Sequence, residues 1–326
     1  MARGMNQNTA QLDPAANPEA VMRDELAHGD AMIGTIAPIL RHLLANDEHS
    51  VFSDAIIARV RGMLADVARQ ALTETAAAAG EPDQRDHPPE QVAELTQGLI
   101  SHSAFLSHVH ALALEWQLTE RMQARLALDP VLSPLLQALI ASSDPAVAAM
   151  AMALLAAQAR FATSQRRMQL PLSELPGDLL HAALLAMRGQ AGGDAAAQAA
   201  ALQAEHAIRG RFDESRSRLG LVARMVNGMG GGATAALAIT HAGVGIFLSA
   251  LSLASGQDRD MTVLATNEGQ LARLALALRA AGLKQQAVEE QFVSLHPDVA
   301  LPEGFDQLGS DAAAALLARA ASFAGG

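Results

Sequence analysis

Apolar residues recur at helical spacing along most of the chain. Val60, Met63, Leu64 and Val67 stand at i, i+3, i+4 and i+7. Leu132, Leu135, Leu136 and Leu139 repeat that spacing, and Leu271, Leu274, Ala275 and Leu278 repeat it again, so each set lines one face of a helix. The punctuation between such stripes is also helical. Asn17-Pro18-Glu19 supplies a cap, a first-turn proline and an acid for the positive helix end. This predicts a helix from residue 18 to about 45, with a kink at Pro38, where the ring removes a backbone donor. Residues 46–53 turn the chain, and a second helix to about Ala79 completes an N-terminal helical hairpin over 18–79.

The polar, proline-bearing stretch 80–89 (GEPDQRDHPP) has no periodicity and reads as a linker. Beyond it, 90–326 reads as a larger multi-helix domain, a HEAT-like array or an orthogonal bundle. A helix should run from Glu90 to Leu128 with a break near Ser101, Ser103 and Ser107. Asp129-Pro130 and Asp144-Pro145 should each open a short apolar helix, and another should run from Leu175-Pro176 to about Arg188. A long helix is expected from Ala195 to about Val226, then a glycine break at 228–232 and an apolar helix over 233–254. Asp260 is expected to cap a helix that Gly282 ends, followed by an amphipathic helix over 284–295 and a last one from Ser310. Residues 1–17 are polar and read as a disordered tail.

Composition agrees with an all-α fold. Half of the residues are hydrophobic, only 3% are aromatic, and Ala and Leu dominate where a sheet would draw on β-branched and aromatic residues. The net charge of −11 repels phosphate backbones and anionic lipid heads, which argues against nucleic acid and membrane as partners. Without Cys there is no disulfide, thiolate nucleophile or Cys-ligated metal, and the cytoplasm is the default compartment.

Several features carry chemistry in principle. The stretch 233–254 is long enough to cross a bilayer, but His241 sits mid-span and no basic residue flanks it closely, so it reads as a buried core helix. Gly228 to Ala233 fits the spacing of a phosphate-binding glycine loop, yet a helix rather than a strand precedes it, and a hinge is the simpler reading. Glu25 and His28, at i and i+3, are the candidate metal ligands, echoed in part by Asp178 and His181. A di-iron bundle needs a second full copy and two further Glu residues, so a surface pair is the plain reading. His102, His108 and His110 are dense but fall on different helix faces. His42 lies away from the stripe of Ile36, Leu40, Leu43 and Leu44, which makes it the candidate phosphorelay residue. Arg209, Arg211, Arg216 and Arg218, with Arg224, form a basic run in an acidic chain and are the candidate partner-binding residues. The competing reading is a solvated helix face laced with ion pairs.

With its Asp-Pro helix starts at 129 and 144 and its Ala/Leu-rich segments, the region from Glu90 to Arg188 resembles uncharacterised bacterial all-helical proteins with HEAT-like repeats. The resemblance implies a scaffold without a known reaction and carries no site residues. No regular repeat continues after Gly192. The expectation is therefore a non-enzymatic helical scaffold or regulatory module that binds another protein, compatible with a homodimer and needing no cofactor. A helical-bundle metal- or ligand-binding protein or enzyme, and a histidine phosphorelay component, are the alternatives.

Overall fold

Short polar side chains end and restart the helices, and each break can be traced to a named cap. The computed structural model describes residues 17–45 and 54–324. Among them every regular element is helical. Helices α1 (Pro18–Ala45) and α2 (Asp54–Ala78) are followed by the loop through Pro88 and then by α3 (Pro89–Ser101). The His102 ring accepts from the Phe105 N–H and starts α4 (Ser103–Leu126), close to the expected serine-rich break. Asp144 caps α6 (Pro145–Arg166), its Oδ1 accepting from the Ala146 N–H at 2.8 Å. Asp129 does not open a helix. Its carboxylate accepts from the N–H groups of Val131 and Leu132 in a local turn, and Ser133 caps the short α5 (Pro134–Ile140) instead.

Three further expectations are corrected. The helix over 195–226 is two: α8 (Ala195–Arg211) and α9 (Arg218–Gly228), separated by a 3₁₀ turn at 214–216 and restarted by Ser217, whose hydroxyl accepts from the Gly220 N–H. Gly220 permits that fold-back, because a Cβ there would lie 2.2 Å from the Glu214 carbonyl oxygen. The apolar stretch 233–254 is not one helix. A 3₁₀ segment (Gly230–Leu237) is followed by α10 (Ile239–Ala242), by Gly243 at φ +75°, and only then by α11 (Val244–Ser255). At about 18 Å, α11 is too short to cross a bilayer. Asp258, not Asp260, caps α12 (Arg259–Leu264).

Then come α7 (Gly177–Gln190) in the middle of the chain, and α13 (Leu271–Ala280), α14 (Gln285–Leu295) and α15 (Ser310–Ala324) at its end. Gly282, at φ +90°, lets the Leu283 N–H reach back to the Leu278 carbonyl and closes α13. The expected tail over 1–17 lies outside the described residues except for Asn17, as does the turn over 46–53.

The centre is α4, in which Phe105, Leu106, Val109, Ala111 to Trp116 and Leu118 are all buried. Around it stand α2, α11 and α12. The predicted stripe of α2, Val60 to Val67, is fully buried against α3, α4, α7 and α8. One cluster of buried apolar residues runs from Met22 to Leu317, so the 80–88 loop does not divide two cores. Helix α1 touches α2 but packs more broadly on α13 and α15, from the opposite end of the chain.

Candidate functional site

At the centre of this Ala/Leu core sits a cluster of charges. Glu115 interrupts the apolar run of α4, and its carboxylate is 1% exposed. Arg218, 2% exposed on the first turn of α9, grips it with two hydrogen bonds, Nη1 to Oε1 at 2.7 Å and Nη2 to Oε2 at 2.9 Å. Arg259 of α12 donates to Oε2 at 2.8 Å and to the Ser249 hydroxyl at 3.1 Å. The Arg218 guanidinium also lies 3.7 Å over the Phe161 ring of α6. Burial pushes the Glu115 carboxyl up, but the charges of both arginines and the hydrogen bonds they donate outweigh it and hold the group at about 2. Gly245 of α11 leaves the room this needs, since a Cβ there would stand 2.9 Å from Gln158 Nε2 and 3.0 Å from Arg218 Nη1. Two turns earlier on α4, His108 Nδ1 meets the Asp260 carboxylate at 3.0 Å, and burial lowers His110 to about 4 against the pull of Asp260. The cluster ties α4, α6, α9, α11 and α12 together, and the Glu115–Arg218 pair at its centre is closed to solvent, which suits a structural role.

The surface offers three different environments. The first is α6. From Ala146 to Ala159 it carries no charge, and of the whole helix only Ala151, Leu154, Ala157, Gln158, Ala162 and Gln165 are buried. Ala146, Ala149, Met152, Ala153, Ala156 and Ala159 are exposed, and at 100° per residue they fall within one face. That face is about 20 Å long. It ends in Arg160, Arg166 and Arg167, none of which meets a carboxylate among the described residues. Among those residues α6 is the one helix long and apolar enough to cross a membrane by length and composition.

The second is a cleft of ≈ 920 Å³ between α1, α12, α13 and α15, walled by Leu26, Ile33, Met261 and Leu316. Its buried arginine, Arg273, is neutralised by Asp30 and also donates to Gln257 Oε1 at 2.7 Å. The third is a hollow of ≈ 370 Å³ between α2, the 80–88 loop and the end of α8.

The residues singled out by sequence do not converge. Arg218 is no surface residue, because its guanidinium is consumed by Glu115 in the core. Arg209 pairs with Glu205 at 2.9 Å and touches His181 at 2.6 Å, Arg211 pairs with Glu74 at 2.8 Å, and Arg216 is exposed on the 3₁₀ turn. The four therefore form no single docking patch. Glu25 and His28 are exposed on α1, and no group of three metal-binding side chains occurs among the described residues. His42 is exposed in the last turn of α1. Gly228 to Gly232 runs from the end of α9 into a 3₁₀ segment, without the strand a phosphate-binding loop requires. No known family matches the chain, and neither a curated protein nor a solved structure matches it at a significant level.

Proposed function

We propose that the chain is a non-enzymatic helical interaction protein that receives an amphipathic helix of another protein along α6. One observation carries this reading: a helix apolar on nearly every side stands at the surface with an uncharged face. An all-round apolar helix belongs in a core, and a contiguous exposed apolar face marks a contact site. The small Ala side chains let a second helix approach closely, and Met152 supplies one adaptable large contact. Arg160, Arg166 and Arg167 define the other half of the partner's chemistry, an apolar stripe with acidic residues at the end lying beside them. This agrees with the scaffold role implied by the resemblance to HEAT-like repeat proteins.

A photo-crosslinking amino acid at Ala149, tested in the native host, checks the proposal. The expected result is a crosslink to a helix of one other protein that disappears in Met152→Glu/Ala156→Glu. The same label at Glu25 on α1 should not give that crosslink. Crosslinks to a second copy of the chain, to lipid alone, or equally from position 25 would each overturn it.

A further inference from the structure

The hollow beside α2 collects charge that nothing in the linear sequence brings together. Arg69 and Arg85 stand sixteen positions apart, and Arg211 comes from the end of α8, yet all three line the same ≈ 370 Å³ space. Glu74 is the one carboxylate in that lining, and it already faces Arg211 at 2.8 Å. No carboxylate among the described residues forms an ion pair with Arg69 or Arg85. The lining thus sets three guanidiniums against one carboxylate in a chain of net charge −11, while Asp66, whose carboxyl burial raises and the Arg69 charge pulls down, and Asp86, next to Arg85, stand outside it.

The rest of the hollow is fixed and half apolar. Gln70 donates to Asp66 Oδ2 at 2.7 Å and to the Leu170 carbonyl at 2.9 Å, and its own carbonyl accepts from the Leu172 N–H at 3.0 Å. These bonds staple α2 to residues 170–172, which hold Leu172 against the space. Ile208 and Phe212 complete an apolar wall beside Ser173, and the Thr73 hydroxyl donates to the Arg69 carbonyl at 2.8 Å. His87 Nε2 stands 3.0 Å from the Thr73 hydroxyl and anchors the 80–88 loop that carries Arg85. A volume of a few hundred Å³ suits a small molecule, apolar walls suit an organic body, and several guanidiniums suit an acid with three terminal oxygens better than a carboxylate with two.

We infer that this hollow is a binding site for a small organic phosphate monoester, its phosphoryl oxygens held by Arg69, Arg85 and Arg211 and its apolar body resting on Leu172, Ile208 and Phe212. It is independent of the α6 surface. Glu74 acts there as a resident competitor, since it occupies Arg211 when the site is empty and must yield when a phosphate enters.

Calorimetric titration of the full chain with phenyl phosphate, inorganic phosphate and benzoate tests this. Phenyl phosphate should bind saturably at one site, inorganic phosphate more weakly for want of the apolar contact, and benzoate more weakly for want of the third oxygen. Arg69→Ala and Arg85→Ala should each weaken phenyl phosphate by about tenfold, while Glu74→Gln should tighten it several-fold by removing the competing charge. All three positions are at or near the surface, so the variants should keep the parent's unfolding temperature, which circular dichroism checks. Absence of saturable binding, equal binding of benzoate, unchanged affinity in both arginine variants, or weakening by Glu74→Gln would each overturn the inference.

Discussion

Replacing Glu115 by Gln keeps the volume of the side chain and removes one charge. Two guanidiniums would then remain in the core, one 2% and the other 14% exposed, without the carboxylate that neutralises them. Leaving a buried charge without its partner costs about 3 to 5 kcal/mol, far more than the 0 to 1 kcal/mol of an exposed pair. Gln can still accept one hydrogen bond, which sets the expectation near the lower end, about 3 kcal/mol. For a chain of this size that corresponds to a fall in Tm of roughly 5 °C or more.

The geometry also orders the single variants. Arg218→Met leaves Glu115 with Arg259 alone, whereas Arg259→Met leaves it gripped by both nitrogens of Arg218. Arg259 is also the more exposed of the two, so the cost should fall from Glu115→Gln through Arg218→Met to Arg259→Met. Replacing all three by Leu, Met and Met should recover most of the loss, because a well-packed apolar core does not need the charges. Urea unfolding at pH 7, followed by far-ultraviolet circular dichroism, gives the four values. A cost below about 1 kcal/mol for Glu115→Gln, or a larger cost for Arg259→Met, would refute the reasoning.

Two further outcomes follow from the core. His110 is held near 4 in the fold against 6.5 when unfolded, so the unfolded chain binds the extra proton first and stability falls as pH drops through that window. The loss should reach about 2 kcal/mol at pH 5 relative to pH 7.5, and His110→Asn should flatten the curve. An unchanged slope in the variant would assign the effect elsewhere. Gly220→Ala should cost about 1 to 3 kcal/mol, since the Glu214 carbonyl that its Cβ would strike is backbone and cannot swing away; a neutral result in thermal unfolding would show that the 3₁₀ turn moves freely.

The helices were legible because their signals are local. The α2 stripe, the Asp144 cap and the Gly282 stop each need only a few neighbouring residues, and the fold uses all three. The errors have local causes too. Asp129 and Asp144 look alike, but Ser133 lies four residues beyond Asp129 and takes over as cap, which leaves Asp129 a turn of its own. The Ala195 to Val226 segment carries enough helix formers to read as continuous, yet Phe212 and the Asp213 and Ser217 caps divide it. The inward turn of Arg218 is hidden for a different reason. Counting charges along the chain groups it with Arg209 to Arg216, and only its partner shows that it turns inward. A hint was present in that partner: Glu115 is a single acid inside the apolar run ALALEWQL, and such a residue needs a buried cation. The sequence does not say which arginine answers it, because that pairing spans 103 positions.

Helices α4 and α6 differ in their surroundings more than in their pattern. Both are apolar on more than one face, so hydrophobic patterning assigns both to a core. Topology separates them. Helix α4 is surrounded by α2, α3, α11 and α12, whereas α6 is covered by α5, α9 and α4 on one side and left open on the face of Ala146, Ala149, Met152, Ala153, Ala156 and Ala159. The buried cluster explains why α6 cannot rotate that face inward: Phe161 lies under Arg218, and Gln158 stands in the same pocket of charge. Turning the helix would withdraw both from the Glu115 network, at a cost of several kcal/mol. The charges at the centre thus fix which side of α6 faces out, and the face they hold out is the one proposed to receive a partner.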